Sequence, residues 1–254
     1  MRLTLSLVLA AAAWAQAPVP PPLPTPPPVA QLARMINDYG NTFRYAAENR
    51  TVQPPVPGED RVVFMGDSIT DNWGRGNGQY GKFFPGKPYI NRGISGQVTP
   101  QMLLRFYPDV IALKPRVVVI LAGTNDIGGN IGPMTLEATE GYLMAMSDLA
   151  RANNIKVVMA SLTPVCDYHV GQGRGPQIPQ TQSRPPEKIN ALNQWIKDYA
   201  ARNHLVYLDY FSATVDDKGF FKAEITNDGL HPNAAGYEIM APLAEKAVAQ
   251  ALGK

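Results

Sequence analysis

From Arg61 to the C-terminus, short unbroken apolar runs alternate with longer stretches whose apolar residues recur at helical spacing. The runs are Val62–Met65, Tyr89-Ile90, Val117–Leu121, Val157–Met159 and Val206–Leu208. They are rich in β-branched and aromatic residues, short and without polar alternation, as strands buried on both faces require. Thr99-Pro100 reads as an N-cap and a first-turn proline opening a helix to about Ala112. Leu136 to Asn153 and Pro186 to Asn203 read as two more helices. The last is expected from the N-cap Asn233 to about Leu252, with Tyr237, Met240, Leu243 and Ala247 on its apolar face. Strand–helix–strand repeats with right-handed crossovers predict a three-layer α/β/α domain with a five-stranded parallel sheet, from residue 58 to 254.

The first 57 residues follow other rules. Arg2, an apolar core from Leu3 to Ala13, and small residues as Ala13-Trp14-Ala15 and Ala15-Gln16-Ala17 have the order of a secretory signal peptide over residues 1–17. Cleavage is expected after Ala15, because a cut after Ala17 would put Pro18 first. The apolar core is too short for a stable membrane anchor. Residues 18–57 are expected to form a tether and a short helical prefix: Pro18 to Pro28 favours extended polyproline II and cannot pack a core. Secretion or a periplasmic location follows as the expectation.

Composition narrows the function classes. The 254 residues carry a formal charge of +2 and are 45% hydrophobic. A sizeable core is expected, and nothing in the charge points to nucleic acid as a partner. Cys166 is the only cysteine, so no disulfide within the chain is available; a small buried hydrophobe is its expected role. Val165 to Pro186 is rich in Gly, Pro and Gln, without periodicity, and loops of that length are commonly functional.

In open parallel sheets, ligands sit beyond the carboxyl ends of the strands. The residues there are Gly66-Asp67-Ser68, Asn91-Arg92-Gly93, Gly123-Thr124-Asn125 and Leu162-Thr163-Pro164, joined by Asp228-Gly229-Leu230-His231 before the last helix. A serine hydroxyl needs a base, and the chain has three histidines. His204 ends a helix, where capping or a surface role is expected; His169 lies in the long loop and could touch substrate. His231 follows Asp228 by three residues, close enough for the carboxylate to hold the imidazole tautomer. Gly93 could offer a backbone N–H and Asn125 a side-chain amide to a developing oxyanion, with the Ser68 N–H as a third donor. Taken singly, each feature reads as an ordinary turn or cap; together they fall where the sheet wants a site. Asp67 is expected to brace its turn and Asp126 to be a structural acceptor. Asp71 and Trp73 are candidates for pocket lining, with a core role equally open for Trp73.

Phe64-Met65-Gly66-Asp67-Ser68-Ile69-Thr70 resembles the Gly-Asp-Ser-Leu block of SGNH/GDSL hydrolases. Asn91–Gly96 resembles the family's glycine block, Gly123–Asp126 its Gly-x-Asn-Asp block, and Asp228–His231 its Asp-x-x-His block, all in family order. The nearest likeness is to the branch of platelet-activating-factor acetylhydrolase catalytic subunits and bacterial exported acyl esterases. The resemblance implies a flavodoxin-like fold, no metal and no cofactor. It implies Ser68 as nucleophile, His231 and Asp228 as the rest of a triad, and an oxyanion hole of Ser68, Gly93 and Asn125. Ile69 replaces the usual Leu, a volume-conserving change.

Other hydrolase and nucleotide-binding signatures are missing: no Gly-x-Ser-x-Gly elbow, no His-Glu-x-x-His, and no Gly-x-Gly-x-x-Gly or P-loop after the first strand. The family resemblance implies hydrolysis of a small-molecule or carbohydrate ester, with short acyl groups favoured. The alternatives are a lysophospholipase or thioesterase of the same family, or a non-catalytic carbohydrate-binding module on the same fold. Oligomeric state is not legible.

Overall fold

The computed structural model describes residues 36–172 and 176–254. The expected signal peptide and proline-rich run lie outside the described residues. Five parallel strands form one sheet: β1 (Val62–Gly66), β2 (Tyr89–Gly93), β3 (Val117–Leu121), β4 (Lys156–Ala160) and β5 (Val206–Leu208), in the order β2-β1-β3-β4-β5. Every residue of β1 and β3 is buried, as the unbroken apolar runs require. Leaving β1, the chain moves to one side for β2 and then recrosses to the other for β3. Right-handed connections therefore fall on opposite faces, and a crevice opens where the direction reverses.

The helices used below are α1 (Ala46–Thr51), α2 (Ser68–Asn72), α3 (Thr99–Leu104), α4 (Leu136–Ala152), α5 (Pro186–Arg202) and α6 (Ala234–Leu252). Helices α3, α4 and α5 pack side by side along one face, while α6 lies against β3, β4 and β5. Thr135 and Asn233 cap α4 and α6 with their side chains. On α6 the buried face is Tyr237, Met240, Ala244, Ala247 and Val248. Leu243, expected on that face, is only half-buried, and Ala244 takes its place.

Two sequence expectations about α3 need correction. The helix does not run to Ala112: it stops at Leu104, and a separate turn follows over Phe106–Asp109. Pro108 explains the break, since it has no N–H for the Leu104 carbonyl and its ring would collide with that carbonyl. Thr99 is not the cap but the first helical residue, with Val98 capping. The Thr99 N–H and hydroxyl both donate to the buried Asp126 carboxylate instead.

The stretch from residue 36 to 57, expected as prefix and linker, is tied to the sheet edge. Tyr45 is buried and donates to the Gly93 carbonyl. The Arg92 guanidinium lies over the Tyr45 ring, and its Nε donates to Asn49 on α1. Gln97 and Gln101 donate to the Gly40 and Tyr39 carbonyls. Trp73 is a core residue: it is buried, stacks against Tyr237 at 4.8 Å and contacts Phe64 and Phe84.

Candidate active site

Ser68 opens α2 directly after β1. The Asp67 carboxylate caps that helix by accepting from the Ile69 N–H, the bracing expected of it. Cβ space at Gly66 is filled by Thr70, so the chain can leave the strand this sharply only as glycine. At the other end of the sequence, Gly229 has φ +77°, and a Cβ there would lie 2.0 Å from the Cys166 carbonyl oxygen. The Cys166 N–H donates to the Gly229 carbonyl, fastening the Asp228–His231 turn to the rim of the sheet. Cys166 is thus a buried small residue, and burial pushes its thiol up from the ordinary value.

The two ends meet. His231 Nε2 lies 2.8 Å from Ser68 Oγ, and His231 Nδ1 lies 2.6 Å from Asp228 Oδ2. Asp228 Oδ1 accepts from the backbone N–H groups of Leu230 and His231, so the carboxylate is held within its own turn. Burial raises the proton affinity of Asp228. The hydrogen bonds and charge of His231, with the backbone donors, outweigh it and bring the pKa down to about 2. An ionised acceptor on Nδ1 leaves Nε2 free to take a proton from the serine.

The sequence-predicted oxyanion donors are only partly brought together. Asn125 sits in a short turn after β3 and is buried. Its Nδ2 donates to the Gln97 carbonyl, and its Oδ1 accepts from Arg184. One Nδ2 hydrogen is left over. The Ser68 N–H, at the start of α2, has no intramolecular acceptor among the described residues.

Gly93 does not fit the role expected of it. Its N–H donates to Asn91 Oδ1 at 2.9 Å, and the residue is buried. A Cβ at Gly93 would fall 2.1 Å from the Asp71 backbone nitrogen, so close packing against α2 is what demands glycine there. Gly96, three residues on, is exposed, has φ +81°, and its N–H has no partner among the described residues. It adjoins Gln97, whose carbonyl holds Asn125. Asp71 supports this loop rather than lining a pocket: its Oδ2 accepts from the Ser95 N–H and hydroxyl.

The other histidines make no hydrogen bond to Ser68, His231 or Asp228. His169 Nε2 lies 3.0 Å from the Ala223 carbonyl, and His204 is exposed at the end of α5. Arg184, in the long loop, is the site neighbour that sequence reasoning missed; nothing in an aperiodic loop marks one arginine as buried.

Asp67 carries a measurable signature. Burial, only partly offset by the Ile69 N–H, raises its pKa from 3.8 to about 6. A folded-state pKa above the unfolded one means stability that is full below pH 3.8 and is lost as pH rises through about 6. Asn would keep the cap and remove the titration. Asp67→Asn should match the parent below pH 4 and gain roughly 2–3 kcal/mol over it by pH 7. Urea unfolding across that range checks this; a constant difference at all pH values would contradict it.

Comparison with known proteins places the fold and the family. Residues 64–239 match the model of the GDSL-like Lipase/Acylhydrolase family. A crystal structure of a GDSL-like lipase from Bacteroides thetaiotaomicron is 39% identical, with a TM-score of 0.74, covering 84% of this chain and 99% of that one. The acetylxylan esterase of Geobacillus stearothermophilus is 24% identical over 206 residues, 72% of this chain and 90% of that protein. A crystal structure of an acetylxylan esterase from that organism has the same fold, with a TM-score of 0.57 at 23% identity, covering 75% of this chain and 94% of that one. With its five-stranded flavodoxin-like sheet and a match spanning most of its length, this chain belongs to the GDSL-like lipase/acylhydrolase family and is a carboxylic ester hydrolase.

Proposed function

We propose that the protein is an exported serine esterase that cleaves short-chain acyl esters, acetyl esters of carbohydrates among them, through an acyl-enzyme on Ser68. The observation that carries this reading is the unbroken hydrogen-bonded chain from Ser68 through His231 to Asp228. His231 takes the Ser68 proton as Oγ attacks the ester carbonyl. The tetrahedral oxyanion is received by the N–H groups of Ser68 and Gly96 and the remaining Nδ2 hydrogen of Asn125. His231 then protonates the leaving alcohol, and water repeats the cycle on the acyl-enzyme.

Two observations favour a carbohydrate alcohol. One is the acetylxylan esterase activity of a named relative. The other is a cleft of about 800 Å³ that opens at Gly96, where Tyr39, Phe43 and Asn130 offer rings and an amide to a sugar. The case for export rests on the charge, apolar and small-residue order of residues 1–17.

The test is a p-nitrophenyl ester series from acetate to palmitate, run beside acetylated xylan, with fluorophosphonate labelling of the folded protein. The expected result is a serine adduct on Ser68, fastest turnover on acetate and release of acetate from xylan. A preference for long chains would favour the lysophospholipase or thioesterase alternative. Folded protein without an adduct would favour a binding module.

A further inference from the structure

Among the described residues of the long loop from Val165 to Pro186, one charged side chain is buried, and it ends on the amide proposed above as an oxyanion donor. Arg184 closes the short helix Gln180–Ser183 and is only 9% exposed. Its Nη1 donates to Gln180 Oε1 and Ser183 Oγ, both on the loop itself, and its Nη2 donates to Asn125 Oδ1 at 3.2 Å. Space for the guanidinium exists because residue 128 is glycine: a Cβ there would lie 2.9 Å from Nη2.

This arginine is an expensive way to fill a gap. A buried guanidinium is normally repaid by a carboxylate at ion-pair distance. Among the described residues Arg184 has no such partner, and its Nε has no hydrogen-bond acceptor at all. Asp67 and Asp228 act on it only at longer range. What the charge does touch is the amide that faces the developing oxyanion. Donation to Oδ1 polarises a carboxamide and strengthens its N–H as a donor. It also fixes the amide from the side opposite the Gln97 carbonyl, so that Nδ2 cannot exchange places with Oδ1.

We infer that Arg184 is a positioning residue that orients and polarises the Asn125 carboxamide, and that delivering it is a task of the 165–186 loop. The inference rests on the esterase reading above, and it gives that loop a role in the chemical step. Because Arg184 acts through Asn125, its loss must cost less than loss of an oxyanion donor itself, about 100- to 1000-fold in kcat.

The experiment compares Arg184→Met, Arg184→Lys, Asn125→Ala and the double variant Asn125→Ala/Arg184→Met on p-nitrophenyl acetate. Circular dichroism and fluorophosphonate labelling check each protein first. Arg184→Met should lower kcat about 10- to 100-fold with KM within about twofold, and Arg184→Lys should lie between it and the parent. In the Asn125→Ala background, removing Arg184 should cost no more than about twofold. Millimolar guanidinium should restore part of the activity of Arg184→Ala. Should Arg184→Met cost as much in the Asn125→Ala background as in the parent, or only raise KM, the inference falls while the esterase reading stands. If the Met variant does not fold, Arg184→Lys carries the same comparison. An unvaried protein that neither labels nor turns over would instead sink the esterase reading, and this inference with it.

Discussion

Ser68→Ala should lower kcat for p-nitrophenyl acetate by at least about 10,000-fold while leaving the fold intact. The hydroxyl makes one hydrogen bond, to His231, so its removal costs about 1 kcal/mol of stability or less. His231→Ala should lose a similar factor, and the double variant little more than either, because nucleophile and base act as one unit. Asp228→Asn should fall about 10,000-fold for a different reason: an amide can donate to Nδ1 and so favours the wrong tautomer. Stopped assays at high enzyme concentration, with thermal melts in parallel, separate these losses from unfolding. Near-normal turnover in any one variant removes that residue from the mechanism. Residual esterase activity that disappears on fluorophosphonate treatment of Ser68→Ala would point to a different serine.

The sheet was legible because its strands are buried on both faces, and burial on both faces leaves an unbroken apolar run such as Val117–Leu121. Ser68 and Asn125 could be placed at one rim because a parallel sheet gathers the residues that follow its strands there, and His231 because it sits in the turn before the last helix, three residues after Asp228. Gly93 and Gly96 could not be told apart in the same way. Which of two nearby glycines keeps a free N–H depends on whether a neighbouring side chain takes it, and Asn91 takes that of Gly93. The packing of Tyr45 was also illegible. One aromatic residue before a polar six-residue helix has no period, yet it seats the segment on the Gly93 carbonyl. Arg184 is the extreme case, since the described part of its loop is held by turns and side-chain bonds rather than by a repeating face.

The largest expected effect on stability lies at Arg105, in the break after α3. It is fully buried and pairs with the equally buried Asp109 at 3.0 Å. The rest of its fork binds the Gly66 and Arg92 carbonyls and Gln97 Oε1. Those three partners are the end of β1 before the nucleophile, the end of β2, and the residue whose carbonyl holds Asn125. One guanidinium therefore ties together the three segments that converge on the site. Arg105→Met would leave Asp109 as a buried charge with Asn49 as its one side-chain hydrogen-bond donor and only the longer-range charge of Arg92 beside it, and would orphan acceptors that water cannot reach. The expected loss is roughly 3–5 kcal/mol, a fall in Tm of about 10–15 °C for a domain of this size. Asp109→Leu added to Arg105→Met should recover part of that loss, because it removes the unpaired charge, but not the site geometry. The double variant is thus expected to melt higher than Arg105→Met while remaining impaired in kcat. Recovery of both together would mean that Arg105 serves the core alone; recovery of neither would mean that the carbonyl bonds, not the ion pair, carry its contribution.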